Sequence, residues 1–280
     1  MRWAVSAACA VGVGIASLHV GCGGDPPDAP DADASSDRTG HVDTDAPIDP
    51  PDAGPRLTPH DGVILPNIRL GVVYIDDVDA GGMPGVDSQL EWLVTAPYWG
   101  LLKEYGVGSG AVVGSARIAT STLLQSGDVD GTTGLVELLV LDRRIATLLH
   151  GDADAGTAPA LAIPGAEAYV FYLPDGLNVA LGNRGSYTYQ TCIDATGYHA
   201  FDGWEPYVVL PPCEVGRSLY AASHELSEAT TDPEPFHGWV SDVDLDVNGG
   251  EVADICSTQV MQEGVYVTRL WSNAQSRCVP

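Results

Sequence analysis

Positive charge is what this chain most lacks. Lys and Arg number 12 against 38 Asp and Glu, giving a formal net charge of -26. Nucleic acid and anionic lipid surfaces would be repelled by such a chain and are excluded as partners, whereas divalent cations are natural counter-ions. The sequence also has no internal repeat, no glycine-rich phosphate loop and no nucleophile elbow, which removes repeat scaffolds, phosphate cradles and serine-hydrolase chemistry. No Cys-x-x-Cys spacing occurs, so a cysteine zinc site is not expected.

Long hydrophobic runs are scarce too. The longest opens the chain: one positive charge at Arg2, then Ala4 to Leu18, rich in Ala, Val and Gly. It is too short for a stable membrane span and reads as a secretory signal over residues 1–21. Its end, Leu18-His19-Val20-Gly21-Cys22, resembles a bacterial lipobox, with His19 where leucine is usual. Cys22 is therefore the expected lipidation site, and the N-terminal lipid the only expected membrane contact. The expectation is an exported protein, lipid-anchored at a bacterial membrane, in the periplasm or at the cell surface.

Residues 22–55 have no aromatic side chain, and their nine aspartates (Asp25, Asp28, Asp31, Asp33, Asp37, Asp43, Asp45, Asp49 and Asp52) are offset by Arg38 alone. A stretch that buries so little cannot repay the entropy of ordering, so it reads as a self-repelling, extended tether. The rest, residues 56–280, carries enough apolar residues for one globular domain.

With Cys9 in the signal and Cys22 assigned to lipid, Cys192, Cys213, Cys256 and Cys278 remain in an oxidising compartment, where four cysteines allow three connectivities. The local pairs Cys192–Cys213 and Cys256–Cys278 are the expected ones.

Apolar runs at Ile68–Ile75, Val107–Ile118, Ala166–Leu173, Tyr207–Leu210 and Val265–Leu270 read as strands. Asp87–Tyr105 has helical spacing with a break near Pro97, and Gly134–His150 is the clearest amphipathic helix, with His150 placed to cap its C-terminus. A further helix runs from about Gly216 to Thr230, and a loop-rich end follows it. The expected class is α+β with a mixed sheet, a central helix and a disulfide-stapled C-terminal part.

That central helix carries His224-Glu225-Leu226-Ser227-Glu228. Residues four apart share a helix face, so His224 and Glu228 can grip one ion while Glu225 lies beside them. This is the arrangement of a zinc hydrolase helix, in which the glutamate after the first ligand is general base, except that a glutamate replaces the second histidine. Zinc accepts carboxylate ligands, so zinc is the expected metal, His224 and Glu228 the expected ligands and Glu225 the expected base. By composition alone the motif is also compatible with a solvated helix face.

A third ligand must come from elsewhere. Asp232 would be about 12 Å from His224 along a continued helix, too far for a shared ion, but Pro233 disfavours helix there, so the chain can turn back and Asp232 is a candidate ligand or a helix-ending turn residue. Asp254, next to Cys256, is preferred; His199 and His237 are alternatives, and Tyr198 or His199 is a candidate to assist a transition state. Asp242, Asp244, Asp246 and Asn248 alternate like the start of a calcium loop. However, Val247 and Ala253 stand where that loop needs glycine and glutamate, so a half-exposed strand is the expectation and calcium the alternative.

Several stretches in order resemble the EXORDIUM-like (phosphate-induced) family and its bacterial secreted relatives: Tyr98-Trp99, Tyr105-Gly106-Val107-Gly108-Ser109, Gly197-Tyr198-His199, Ser223 to Pro233, Gly238-Trp239, Glu251 to Cys256 and Leu270-Trp271-Ser272-Asn273. The resemblance spans roughly Ile68 to the C-terminus. It implies a secreted or cell-surface domain, with plant members linked to growth responses, and no established enzyme activity. It also implies a zincin-like helix carrying His224, Glu225 and Glu228. Plant members often have Asn-Pro at the place of Asp232-Pro233 and keep the aspartate matched by Asp254, which supports Asp254 as third ligand. The tether and lipobox depart from plant members. Three functions follow as expectations: a metal-dependent, peptidase-like hydrolase; a noncatalytic extracellular module with a structural metal; or a binder of cell-wall polysaccharide.

Overall fold

The computed structural model describes residues 55–76, 86–151, 159–184, 186–212, 218–241, 250–256 and 258–280. The signal, Cys22, the tether, Cys213 and the Asp242–Asn248 run lie outside the described residues.

The architecture is mixed α and β, with several sheets and few helices. Its centre is a five-stranded sheet of β1 (Arg69–Ile75), β2 (Ala111–Ile118), β3 (Ala168–Tyr172), β4 (Tyr198–Phe201) and β5 (Pro206–Leu210), in the order β2-β1-β3-β5-β4. β1, β2, β3 and β5 run parallel, and β4 joins the edge antiparallel to β5, with His199 opposite Val208.

Parallel strands covered on both faces read as continuous apolar runs, and these do: after exposed Arg69 every residue of β1 is buried, as is every residue of β3 and β5. The period of two divides them between two cores. Leu70, Val72, Tyr74, Val170, Val208 and Leu210 face one layer; Val73, Ile75, Phe171, Tyr207 and Val209 face the other.

The first layer contains α1 (Val86–Thr95), the 3-10 turn Trp99–Tyr105 beyond Pro97, and α3 (Leu219–Thr231). The second contains α2 (Leu138–His150) and a smaller sheet of Leu135–Glu137, Asn178–Arg184 and Tyr187–Gln190. The helical spacing expected from Gly134 therefore begins later. Leu135–Glu137 is a strand that pairs parallel to Asn178–Ala180, a tertiary partner that local periodicity does not reveal.

α3 is buried almost all round, from Ala221 to Thr231. Ser218 caps its start by accepting from the Ala221 N–H, and the helix stops at Asp232, whose φ of -142° and ψ of 66° suit the residue before a proline. Its small polar residues are absorbed locally. The hydroxyls of Ser227 and Thr231 donate to carbonyls one turn back, at 2.6 and 2.9 Å.

The C-terminal part packs hairpins Gln259–Gln262 with Val265–Thr268 and Leu270–Ser272 with Arg277–Val279 beside α3. Cys256 and Cys278 form a disulfide, which is the expected pairing, and join the turn after Gly250 to the last strand. Cys192 is disulfide-bonded too, but its expected partner Cys213 is not among the described residues. Asn273 ties the two ends of the domain together: its side chain accepts from Leu57 N at 2.9 Å and donates to Leu57 O at 2.7 Å.

Candidate metal centre

α3 supplies His224, Glu225 and Glu228. A single turn, Glu251 to Asp254, faces it and presents its two carboxylates three residues apart, on the same side. β4 supplies His199 from the edge of the main sheet.

His224 Nε2 lies 3.2 Å from Glu228 Oε1 and 3.1 Å from Asp254 Oδ1. Donors bonded to zinc at 2.0–2.1 Å in a tetrahedron are about 3.3 Å apart, so both His224 contacts have the spacing of a shared coordination sphere, and all three donor atoms lie within 4.8 Å of one another. His224 Nδ1 faces the Thr268 hydroxyl at 3.5 Å, which leaves Nε2 turned toward the carboxylates. His199 adds a second group: its Nε2 is 3.3 Å from Glu251 Oε1 and its Nδ1 is 3.7 Å from Glu228 Oε2. Glu225 stands beside both groups, with Oε2 3.8 Å from His199 Nδ1. Gly197 makes room for it, because a Cβ there would meet Glu225 Cγ at 3.1 Å and Val209 O at 2.9 Å.

The electrostatics show what the cluster needs. None of His199, His224, Glu225, Glu228, Glu251 and Asp254 is more than 6% exposed. Four carboxylates face two imidazoles, so even two imidazolium ions would leave two buried negative charges uncompensated, at a cost proteins normally avoid by pairing or metal binding.

Burial and neighbouring charge shift four of these groups upward. Burial opposes a charged His224, yet the Glu228 charge and the Asp254 hydrogen bond prevail and keep its pKa well above 6.5. His199 follows the same pattern through Glu251. Burial and the Asp254 charge push Glu228 well above the carboxylate range; burial is the main cause that takes Glu251 to about 7. Both Glu251 oxygens are buried without a hydrogen-bond partner among the described residues. Orphaned carboxylate oxygens beside imidazole nitrogens are a donor set that suits a divalent cation.

The chain matches no known family model, no curated protein and no solved structure.

Of the residues singled out in the sequence, His224, Glu225, Glu228, Asp254 and His199 come together. Tyr198 does not. Adjacent strand residues point to opposite faces, and Tyr198 donates to Asp142 of α2 at 3.0 Å, in the other core layer. Asp232 serves the backbone instead. Its carboxylate accepts from the N–H groups of Phe236 at 2.7 Å, His237 at 3.0 Å and Gly238 at 2.5 Å, which holds the turn after α3. His237 is on the exposed side of that turn, 3.9 Å from Glu234. His150 ends α2, where its Nε2 lies 2.7 Å from Asp202 and 2.9 Å from Glu205. Glu251 joins the site without having stood out in the sequence. In the sequence it stands only as the first residue of the Glu251–Cys256 stretch, three residues before Asp254, with no role of its own assigned.

Proposed function

We propose that this domain binds a zinc ion on His224, Glu228 and Asp254 and is a metal-dependent hydrolase of peptidase type, with Glu225 as general base. The observation that carries the reading is the buried His224–Glu228–Asp254 group, whose excess negative charge calls for a cation. Structural zinc sites close with four protein ligands, whereas hydrolytic ones use three and leave a position for water. This group offers three, and Glu225, next in sequence to His224 but in neither donor group, is free for proton transfer.

The zinc would lower the pKa of a bound water and polarise a substrate carbonyl. Glu225 would take the proton from that water, with His199 3.8 Å away beside it. The donor helix between sheet and C-terminal hairpins, together with the resemblance to the EXORDIUM-like family, supports a zincin-like domain. The lipobox and tether support an exported, lipid-anchored protein whose substrates are extracellular or periplasmic peptides.

Burial favours one competitor, a noncatalytic module with a structural metal, since no donor of the group is more than 4% exposed. Glu225→Gln separates the two. In a hydrolase it abolishes peptide cleavage while leaving zinc content and melting temperature nearly unchanged. Cleavage at the native rate by Glu225→Gln would exclude the hydrolase, and a purified chain that takes up no zinc would exclude both readings.

A further inference from the structure

The donor set is larger than one ion needs. A second group, His199, Glu228 and Glu251, is fully buried and has its donor atoms within 4.8 Å of one another. It shares one residue with the first, and the sharing is ordered atom by atom. Glu228 Oε1 faces His224 at 3.2 Å, whereas Glu228 Oε2 faces His199 at 3.7 Å. A carboxylate that directs its two oxygens at two different donor groups is arranged as a bridge, and bridged ions in two-metal hydrolytic sites lie about 3.5–4 Å apart.

The second group also has a need of its own. Glu251 is wholly buried, and neither of its oxygens has a hydrogen-bond partner among the described residues. His199 Nε2 is 3.3 Å from Glu251 Oε1, an ion pair without the geometry of a hydrogen bond. One ion on His224, Glu228 and Asp254 would leave this carboxylate without a ligand. A second ion would satisfy it and cancel the remaining negative charge of the four carboxylates.

We infer that the site is a two-metal centre, with His224 and Asp254 on one divalent ion, His199 and Glu251 on the other, and Glu228 bridging them. The inference rests on the reading of His224, Glu228 and Asp254 as the first site. The second position, with two carboxylates and one imidazole, takes zinc or manganese.

Manganese is the probe that reads the arrangement directly. The full chain, stripped with chelator and titrated with Mn(II), is expected to bind two equivalents and to show the electron paramagnetic resonance spectrum of an exchange-coupled pair. Glu251→Gln is expected to bind one equivalent, with the spectrum of an isolated ion and an unchanged circular dichroism spectrum. Glu228→Gln should lose the coupling and weaken both positions at least tenfold. A native chain that saturates at one equivalent of either zinc or manganese, uncoupled, overturns the two-metal centre and leaves the single-ion site standing. A native chain that binds neither metal overturns both. Since the coupled signal is read on the native protein, a variant that fails to fold does not decide the matter.

Discussion

Replacement of Asp232 gives a sharp test of how this region divides structure from chemistry. Its carboxylate accepts three backbone N–H groups, of which Gly238 N–H is buried and the other two are partly solvated. Asp232→Ala would strand the buried donor, at about 1–3 kcal/mol, and weaken two others at about 0.5–1 kcal/mol each. The sum centres on about 3.5 kcal/mol, which corresponds to a fall in Tm of about 7–14 °C for a domain of this size. Asp232→Asn keeps an acceptor oxygen and should cost only about 1 kcal/mol. Neither change touches a proposed ligand, so both variants should retain the native metal content. Urea denaturation and elemental analysis of the same preparations supply the two readouts. If Asp232→Asn stripped the metal while the metal-free proteins melted alike, Asp232 would be a ligand and its assignment to the turn would be wrong.

Other expectations follow from the same geometry. Free zinc at about a thousand times its Kd should stabilise the native chain by about 4 kcal/mol and raise Tm by about 8–16 °C over the chelated protein, whereas His224→Ala should show no response to zinc in the same melt. Burial pushes the Asp142 carboxyl from 3.8 to about 6, so the folded state holds its proton more tightly than the unfolded chain. Its contribution is complete below pH 4 and is lost as pH rises through 6. At about 1.4 kcal/mol per pH unit the loss is about 3 kcal/mol, and Asp142→Asn should flatten the stability profile across that window by about that amount. Opening the Cys256–Cys278 bridge, which closes a 22-residue separation, should cost about 3 kcal/mol by chain entropy. The Cys256→Ser/Cys278→Ser variant should also bind zinc more weakly, since Asp254 lies two residues from the bridge; calorimetric titration reads that.

Much of the main sheet is legible in the chain because parallel strands buried on both faces leave long apolar runs, as in β1, β3 and β5. The edge strand β4 is not. Tyr-His-Ala-Phe includes a polar residue whose partners lie elsewhere in the chain, and only the fold decides between His199 and Tyr198 by placing His199 beside Glu251. The first turn expected of α2 is a strand for a related reason: Leu135–Glu137 is decided by its neighbour Asn178–Ala180.

At the site, His224, Glu225 and Glu228 are legible because helical spacing alone brings them together, and Asp254 because a nearby cysteine suggests rigidity. Glu251 is not, since its role depends on how a loop closes against a helix more than twenty residues earlier. The aspartate before Pro233 illustrates the limit from the other side. Its type suits metal binding or turn formation equally, and only the three N–H groups aimed at it decide between them.

The donors come from three places in the chain: an edge strand at residue 199, a helix at 224–228 and a stapled turn at 251–254. The first proposed ion needs only the helix and the turn to meet, whereas the second also needs the edge strand. Occupancy of the two proposed positions would therefore report two successive stages of assembly.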